Sequence, residues 1–273
     1  MGNHISAGIF VFAAILALPP VIKAQEATPA KGGLTAEEMA KANNPLANSK
    51  AFNVQNYYVP TIYENSSLKA NTFLLRYASP FANGKVLARF TLPLNTVPTG
   101  VTSKGVDYSS GMGDLNFFVT YTFSKPTSKV LIGAGPQVVI PTATSINTGA
   151  GKWQLGGAFV IFDTESPALQ YGVLVVYQAS IAGQADRPST SIIQAQPIAL
   201  FQLGKGAYLR TTGLWNFDVK NNVYSVPVGF GAGHVTKAGN LVFNIFLEPQ
   251  FTILHQGTGQ PGLQLFAGIN CQF

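Results

Sequence analysis

The stretch GLQLFAGINCQF, residues Gly262–Phe273, closes the chain and alternates with a period of two residues. One face of this stretch would carry the apolar side chains of Leu265, Ala267, Ile269, Cys271 and Phe273. The opposite face would carry the polar side chains of Gln264, Asn270 and Gln272. Because successive side chains of a strand point to opposite sides of the sheet, this pattern predicts a strand with one apolar and one polar face.

The same alternation recurs along most of the chain. It is clear in LNFFVTYTF (115–123) and in VFNIFLEPQFTIL (242–254), where most alternate residues are apolar. Alternation of this kind predicts about twelve strands, within a range of roughly 10–14, and therefore an all-β fold. The predicted strands are residues 52–59, 72–80, 85–94, 113–123, 129–140, 152–162, 168–180, 190–203, 207–217, 223–234, 241–254 and 262–273.

Strand length and surface chemistry distinguish a membrane barrel from a soluble sandwich. Most predicted strands span about 10–13 residues, near the ~9–11 that cross a bilayer and above the ~5–6 of soluble sheets. Only 10% of the residues are charged, and one face of each strand is almost purely aliphatic or aromatic, which suits lipid. A sheet in lipid must close to pair its backbone groups. Residues 51–273 are therefore predicted to form a transmembrane up-and-down antiparallel β-barrel in the cell outer membrane.

The links between predicted strands alternate in length. Short links include ANG (82–84), SKPTS (124–128) and DTESP (163–167), whereas NTVPTGVTSKGVDYSSGM (95–112) and PTATSINTGAGK (141–152) are long. Short periplasmic turns and longer outer loops are the rule in such barrels, so both ends of the barrel are predicted on the periplasmic side.

Pro136, Pro197, Pro227 and Pro249 fall inside predicted strands. Proline cannot donate a ladder hydrogen bond and normally lies at edges or bulges. Because a closed barrel has no edge, we expect bulges at these positions or strand boundaries different from those predicted.

The first 50 residues differ from the rest. IFVFAAILALPPVI (9–22) is an apolar run too short to span a bilayer comfortably, and KAQ follows it. Residues 1–24 are therefore interpreted as the signal peptide of an exported Gram-negative protein. Residues 25–50 contain most of the remaining helix signal, which NNP (43–45) ends. This short helical segment is either a periplasmic leader or a plug that enters the barrel.

Two phrases resemble a known family. GMGDLNFFVTYTF (111–123) and LIGAGPQVVIPTAT (131–144) are similar to the bacterial outer-membrane family named "MetA-pathway of phenol degradation". MAKANNPLAN (39–48), together with FNVQNYYVP (52–60), resembles the leader that precedes the barrel in that family. The resemblance implies an outer-membrane transporter; it does not define a solute, and it carries over no catalytic residues.

The candidate site is the predicted lumen. By alternation, charged and amide side chains point inward, among them Arg76, Arg89, Arg210, Glu248, Gln194 and Gln196. These residues either brace the interior as an Arg–Glu network or line a constriction that sets selectivity. The expected function is a narrow channel for passive diffusion of small solutes, including hydrophobic or aromatic ones. The alternative is a non-conducting barrel with a structural or surface-interaction role.

Other functions are disfavoured. The net charge of +6 is spread along the chain, without the basic cluster of a nucleic-acid binder. His234 and His255 lie near opposite mouths of the predicted barrel, Ser is absent near His255 in sequence, and Cys271 is the only cysteine. No enzyme activity, metal or cofactor is therefore expected. The expected partners are outer-membrane lipid and lipopolysaccharide, a small-molecule solute, and the outer-membrane assembly machinery through the C-terminal Phe273.

Overall fold

The computed structural model describes residue 34, residues 36–125 and residues 127–273; the predicted signal peptide lies outside these ranges. A helix, α1 (Ala36–Asn43), precedes the strands, and a short 3-10 turn covers Ala82–Gly84. The strands are β1 (Ala51–Ile62), β2 (Ala70–Phe81), β3 (Val86–Thr102), β4 (Gly105–Met112), β5 (Leu115–Thr122), β6 (Val130–Ile140), β7 (Lys152–Asp163), β8 (Leu169–Gly183), β9 (Ser191–Gly204), β10 (Ala207–Thr211), β11 (Trp215–Asp218), β12 (Val223–Gly229), β13 (Gly231–Ala238), β14 (Leu241–Gln256) and β15 (Pro261–Gln272). Among the described residues, no helix is long and apolar enough to cross a membrane.

The strands form one closed antiparallel barrel. β1 pairs with β2 on one side and with β15 on the other, so the last strand closes on the first. β4 and β5 both pair with β3, β10 and β11 with β9, and β12 and β13 with β14. The 15 segments therefore make twelve barrel strands, three of which are interrupted once. The predicted all-β barrel and its strand number are confirmed.

The apolar side of the strands faces outward, as β14 shows. Asn244, Phe246, Glu248, Gln250 and Thr252 are buried inside the barrel. The intervening Ile245, Leu247, Phe251 and Ile253 are exposed on the outside. A water-soluble protein would bury the second set, whereas lipid solvates it in a membrane barrel. Exposed Trp153 and Tyr171, near opposite ends of their strands, suit the aromatic girdles of an outer-membrane barrel.

The predicted outer loop at residues 95–112 is wrong. β3 continues to Thr102 and β4 begins at Gly105, so these residues form a two-stranded hairpin that continues past the end of β5. The alternation rule missed it because many of its side chains are exposed on both faces and carry no apolar stripe. Loop 141–151 packs beside the hairpin, where the Asp114 carboxylate accepts hydrogen bonds from the Ala143 and Ala150 amides, at 3.1 and 2.6 Å.

Pro136, Pro197, Pro227 and Pro249 lie where ladder pairing is broken on one side. A register shift in the β12–β14 pairing occurs at Pro227, as expected for a bulge. Pro197 pairs regularly with β8, but on its other side it faces the interruption between β10 and β11. Pro249 lies beside the break at Phe230, and Pro136 faces an unpaired part of β5. The backbone N–H of a strand residue donates to only one of the two neighbouring strands, so a proline costs one ladder hydrogen bond. Where pairing with that strand is interrupted, no such hydrogen bond is required.

Candidate functional site

A cavity of about 170 Å³ lies within the barrel. Lumen-facing side chains of β1, β2, β3, β9, β10, β14 and β15 form its wall, together with residues of the N-terminal segment 36–50. Four of the six candidate site residues line it: Arg76, Arg89, Arg210 and Gln196. Residues far apart in the sequence therefore meet at one site because the strands close into a ring.

Arg210 and Glu248 form a buried ion pair. The Arg210 Nε donates to the Glu248 carboxylate at 2.8 Å, and the two side chains are 8% and 0% exposed. The same carboxylate accepts hydrogen bonds from the Thr212 amide and hydroxyl, both at 2.7 Å, and from the Gln250 amide at 2.9 Å. The Arg210 guanidinium also lies 3.6 Å from the ring centroid of Phe246. This geometry is what the bracing alternative expects, and the role of the pair stays a prediction.

Glycines of the sequence VGFGAG (228–233) make room for this network. A Cβ atom at Gly229 would approach the Glu248 Oε1 to 2.3 Å, and one at Gly233 would approach the Tyr208 ring to 2.3 Å. Tyr208 is fully buried, and its hydroxyl donates to the Asn244 side-chain oxygen at 2.5 Å. These glycines are therefore small wall residues that let large side chains fill the lumen.

Arg76 and Arg89 have different surroundings from Arg210. The Arg76 guanidinium donates to the side-chain oxygen of Gln55, and the Arg89 guanidinium lies 4.2 Å from the ring centroid of Phe118. Among the described residues, neither arginine is within 4.0 Å of a carboxylate. The candidate arginines thus divide into one braced cation and two cations without an acidic partner.

Amide side chains fill much of the remaining lumen. Gln137 donates to Gln178 at 2.7 Å, and Gln264 donates to Gln250 at 2.6 Å. Gln196 lines the cavity and donates to the Thr212 carbonyl at 3.1 Å.

Gln194 is separated from the other candidate residues. It donates to the Asn216 side chain at 3.3 Å and does not line the cavity formed by the described residues. The structure therefore does not bring it together with the three arginines.

The N-terminal segment, residues 36–50, contacts the inside of the barrel. Ala42 packs in a buried cluster with Phe162 and Tyr208, and Leu46 packs in another with Phe118 and Val160. Hydrogen bonds from barrel side chains join the same segment: Asn244 to the Asn43 side chain at 2.7 Å, and Gln272 to the Ala42 carbonyl at 3.2 Å. An exposed ion pair of 2.7 Å links Lys237 to Glu38.

Sequence alternation did not identify two kinds of residue inside the barrel. Tyr57 stacks on Phe266 with ring centroids 4.1 Å apart, yet β1 has no regular apolar stripe to mark its lumen face. Asn43, Asn44 and Pro45 line the cavity although they belong to no strand. The only available signal for these three residues was the interpretation of the N-terminal segment as a plug.

The two described histidines stay apart. His234 lies in β13, towards the end of the barrel that holds residues 36–50, whereas His255 lies in β14 towards the other end and stacks on Tyr63 with ring centroids 3.7 Å apart. Among the described residues, no group of three or more His, Cys, Asp or Glu side chains could hold a metal ion. The expectation that the protein is not an enzyme stays a prediction.

Solved structures share this fold. The COG4313 outer membrane channel from Pseudomonas putida F1 is 13% identical and aligns with a TM-score of 0.63, covering 91% of this chain and 100% of that chain. The NanC porin is 10% identical with a TM-score of 0.53, covering 81% and 98%. The KdgM porin is 8% identical with a TM-score of 0.50, covering 82% and 99%.

No protein-family model matches the chain, and no curated protein matches it. The specific family name suggested by GMGDLNFFVTYTF is therefore unconfirmed. At these identities, the likeness to solved structures establishes the fold, an outer-membrane β-barrel with an apolar exterior.

Proposed function

We propose that this protein is an outer-membrane channel through which small solutes, including hydrophobic and aromatic ones, diffuse passively. The supporting observation is the lumenal cavity, whose wall combines arginine and amide side chains with Leu87, Ile198, Phe246 and Phe266. Polar groups keep a path wetted, while aromatic faces favour the apolar part of a solute. The solved outer-membrane channel and porins with this fold are compatible with that role.

In this proposal the N-terminal segment is a plug on the periplasmic side. Its apolar side chains occupy volume that a solute would need, because they pack against lumen-facing residues such as Phe118 and Phe162. Its hydrogen bonds to Asn244 and Gln272 fix it at the periplasmic ends of β14 and β15. Passage then requires the segment to shift or leave.

Reconstitution into planar lipid bilayers tests the proposed function. We expect steady single-channel steps from the purified barrel, with small amplitude because the lumen is narrow. Arg89→Ala should change the step size because Arg89 lines the cavity and has no acidic partner among the described residues. A folded, inserted barrel that stays silent, even when residues 25–49 are absent, would contradict a channel role.

The projecting hairpin favours one second candidate, a barrel with a surface-interaction role. Residues 95–112 continue beyond the end of β5, and loop 141–151 buttresses them: the Ser109 and Ser145 hydroxyls are 2.9 Å apart. Removing residues 98–108 should leave conductance unchanged if transport is the function. A folded full-length barrel that inserts into the bilayer but does not conduct would instead support this candidate.

The C-terminal Phe273 is proposed as the recognition element for the outer-membrane assembly machinery. Its side chain is 54% exposed, so folding stability depends little on it. Phe273→Ala should therefore lower the amount of barrel in the outer membrane severalfold without lowering the thermal stability of the protein that does assemble. Phe251→Ala is the matched control, since Phe251 is 58% exposed but lies within β14. Equal amounts of both variants in outer-membrane fractions would contradict this role.

A further inference from the structure

The lumen has unbalanced positive charge. Three arginines line the cavity wall, Arg76, Arg89 and Arg210, and no described aspartate or glutamate does. Glu248 does not line the cavity, but its carboxylate neutralises Arg210 through the ion pair of 2.8 Å. Among the described residues, the other ion pair joins Lys237 to Glu38 and involves neither of the remaining arginines.

Arg76 and Arg89 lack enough hydrogen-bond acceptors. In each, the Nε atom is buried and has no hydrogen-bond partner among the described residues. A guanidinium carries five N–H donors, and leaving such donors without an acceptor in a buried site is unfavourable. An acceptor that arrives from outside the protein would satisfy them.

The arginines share the cavity with apolar side chains. Leu87, Ile198, Leu200, Phe246 and Phe266 line the same space, and Phe118 lies under the Arg89 guanidinium. The cavity volume of about 170 Å³ has room for one aromatic ring, because an engineered apolar cavity of ~150 Å³ in another protein binds benzene. A fully hydrated inorganic anion would not use these apolar side chains.

We propose that Arg76 and Arg89 form a binding site for the carboxylate of a small organic acid whose apolar body lies against the aromatic and aliphatic wall. A guanidinium binds a carboxylate through two parallel hydrogen bonds, which gives strength and orientation. Arg210 is excluded from this role because Glu248 and Thr212 already accept its Nε and Nη2 hydrogens. This inference rests on the proposed channel function and names the solute class.

Isothermal titration of the purified full-length barrel tests the site with three probes that share one ring. Benzoate should bind, whereas benzyl alcohol, which is uncharged, and benzylamine, which is cationic, should bind at least about tenfold more weakly, since charged hydrogen bonds are the stronger ones. Arg76→Gln/Arg89→Gln should weaken benzoate binding by about tenfold or more. Lys104→Gln is the matched control, because it removes one positive charge at the exposed tip of the outer hairpin.

Each of the following results would overturn the assignment. Equal binding of benzoate and benzyl alcohol would show that the negative charge does not contribute to binding. Equal binding of acetate and benzoate would show that the apolar wall does not contribute. Unchanged benzoate binding in the folded double variant would show that the two arginines do not form the site. Heat-modifiable gel mobility establishes folding; if the double variant does not fold, Arg89→Gln alone is judged by the same criterion.

Reversal potentials separate this inference from the proposed function. In a KCl gradient the wild-type channel should favour chloride over potassium, and Arg76→Gln/Arg89→Gln should lose that preference. A barrel that does not conduct but binds benzoate through these arginines would contradict the channel function and support the site. A barrel that conducts but does not bind benzoate would contradict the site and support the channel function.

Discussion

A barrel that lacks residues 25–49 is expected to show a single-channel conductance severalfold larger than that of the full chain. The physical reason is steric. Met39, Ala42, Leu46 and Ala47 are buried between the segment and the barrel interior, so removing them frees lumen volume on the periplasmic side. The barrel itself should persist, since β1 begins at Ala51 and its pairings with β2 and β15 do not use the deleted residues.

A single substitution makes the same test without shortening the chain. Leu46→Asp places a charge in the buried apolar cluster that contains Leu87, Phe118 and Val160. Burying a charge among apolar side chains is strongly unfavourable, so the segment should leave the lumen and conductance should rise. Asn48→Asp is the matched control. It adds the same negative charge to the segment, but at an exposed position, and Asp has nearly the same size as the Asn that it replaces.

Planar bilayers measure both variants, with insertion frequency recorded to separate conductance from yield. If the deletion and Leu46→Asp both conduct like the wild type, the N-terminal segment does not limit the pore. If Asn48→Asp opens the channel as much as Leu46→Asp does, added negative charge and not expulsion of the segment explains the effect.

Glu248→Gln is expected to lower the free energy of unfolding by about 3–5 kcal/mol, the usual cost of breaking a buried ion pair by removing one partner. Glu248 is 0% exposed, so solvent does not screen the loss. The substitution leaves the Arg210 cation buried without a carboxylate and removes the charged acceptor for the Thr212 amide and hydroxyl. Urea unfolding in detergent micelles or lipid vesicles, followed by heat-modifiable gel mobility, measures the change.

Lys237→Gln is the control for this prediction. It breaks the other ion pair, in which Lys237 is 39% and Glu38 35% exposed, and solvent-exposed pairs contribute about 0–1 kcal/mol. The double variant Arg210→Met/Glu248→Leu should recover much of the stability, because it leaves no uncompensated buried charge. A Glu248→Gln variant as stable as Lys237→Gln would show that the Arg210–Glu248 pair does not brace the interior.

Strand number and side-chain direction could be predicted from the sequence because alternation is a local property. In β14, each inward residue is two positions from the next, and the apolar residues between them must meet lipid. The prediction failed where this local signal fades. The hairpin at 95–112 exposes both faces, and the strand interruptions at 212–214 and at Phe230 lie beside prolines of neighbouring strands.

The inward direction of the candidate arginines could likewise be inferred from local alternation. Their interaction partners could not be inferred in that way. Arg210 and Glu248 lie 38 positions apart, and only strand register brings their side chains to 2.8 Å. Nothing in the alternation distinguishes Arg210 from Arg76 or Arg89, since all three occupy inward positions.

The sequence by itself determined an all-β barrel with a polar interior and an apolar exterior, because a period of two and the solvation of side chains are set residue by residue. Only the tertiary structure decided which arginine is neutralised and which two have no acidic partner in the described part of the chain. It also decided that residues 36–50 lie against Phe118 and Phe162. These outcomes depend on ring closure, which fixes the enclosed volume and brings together side chains that the sequence keeps far apart.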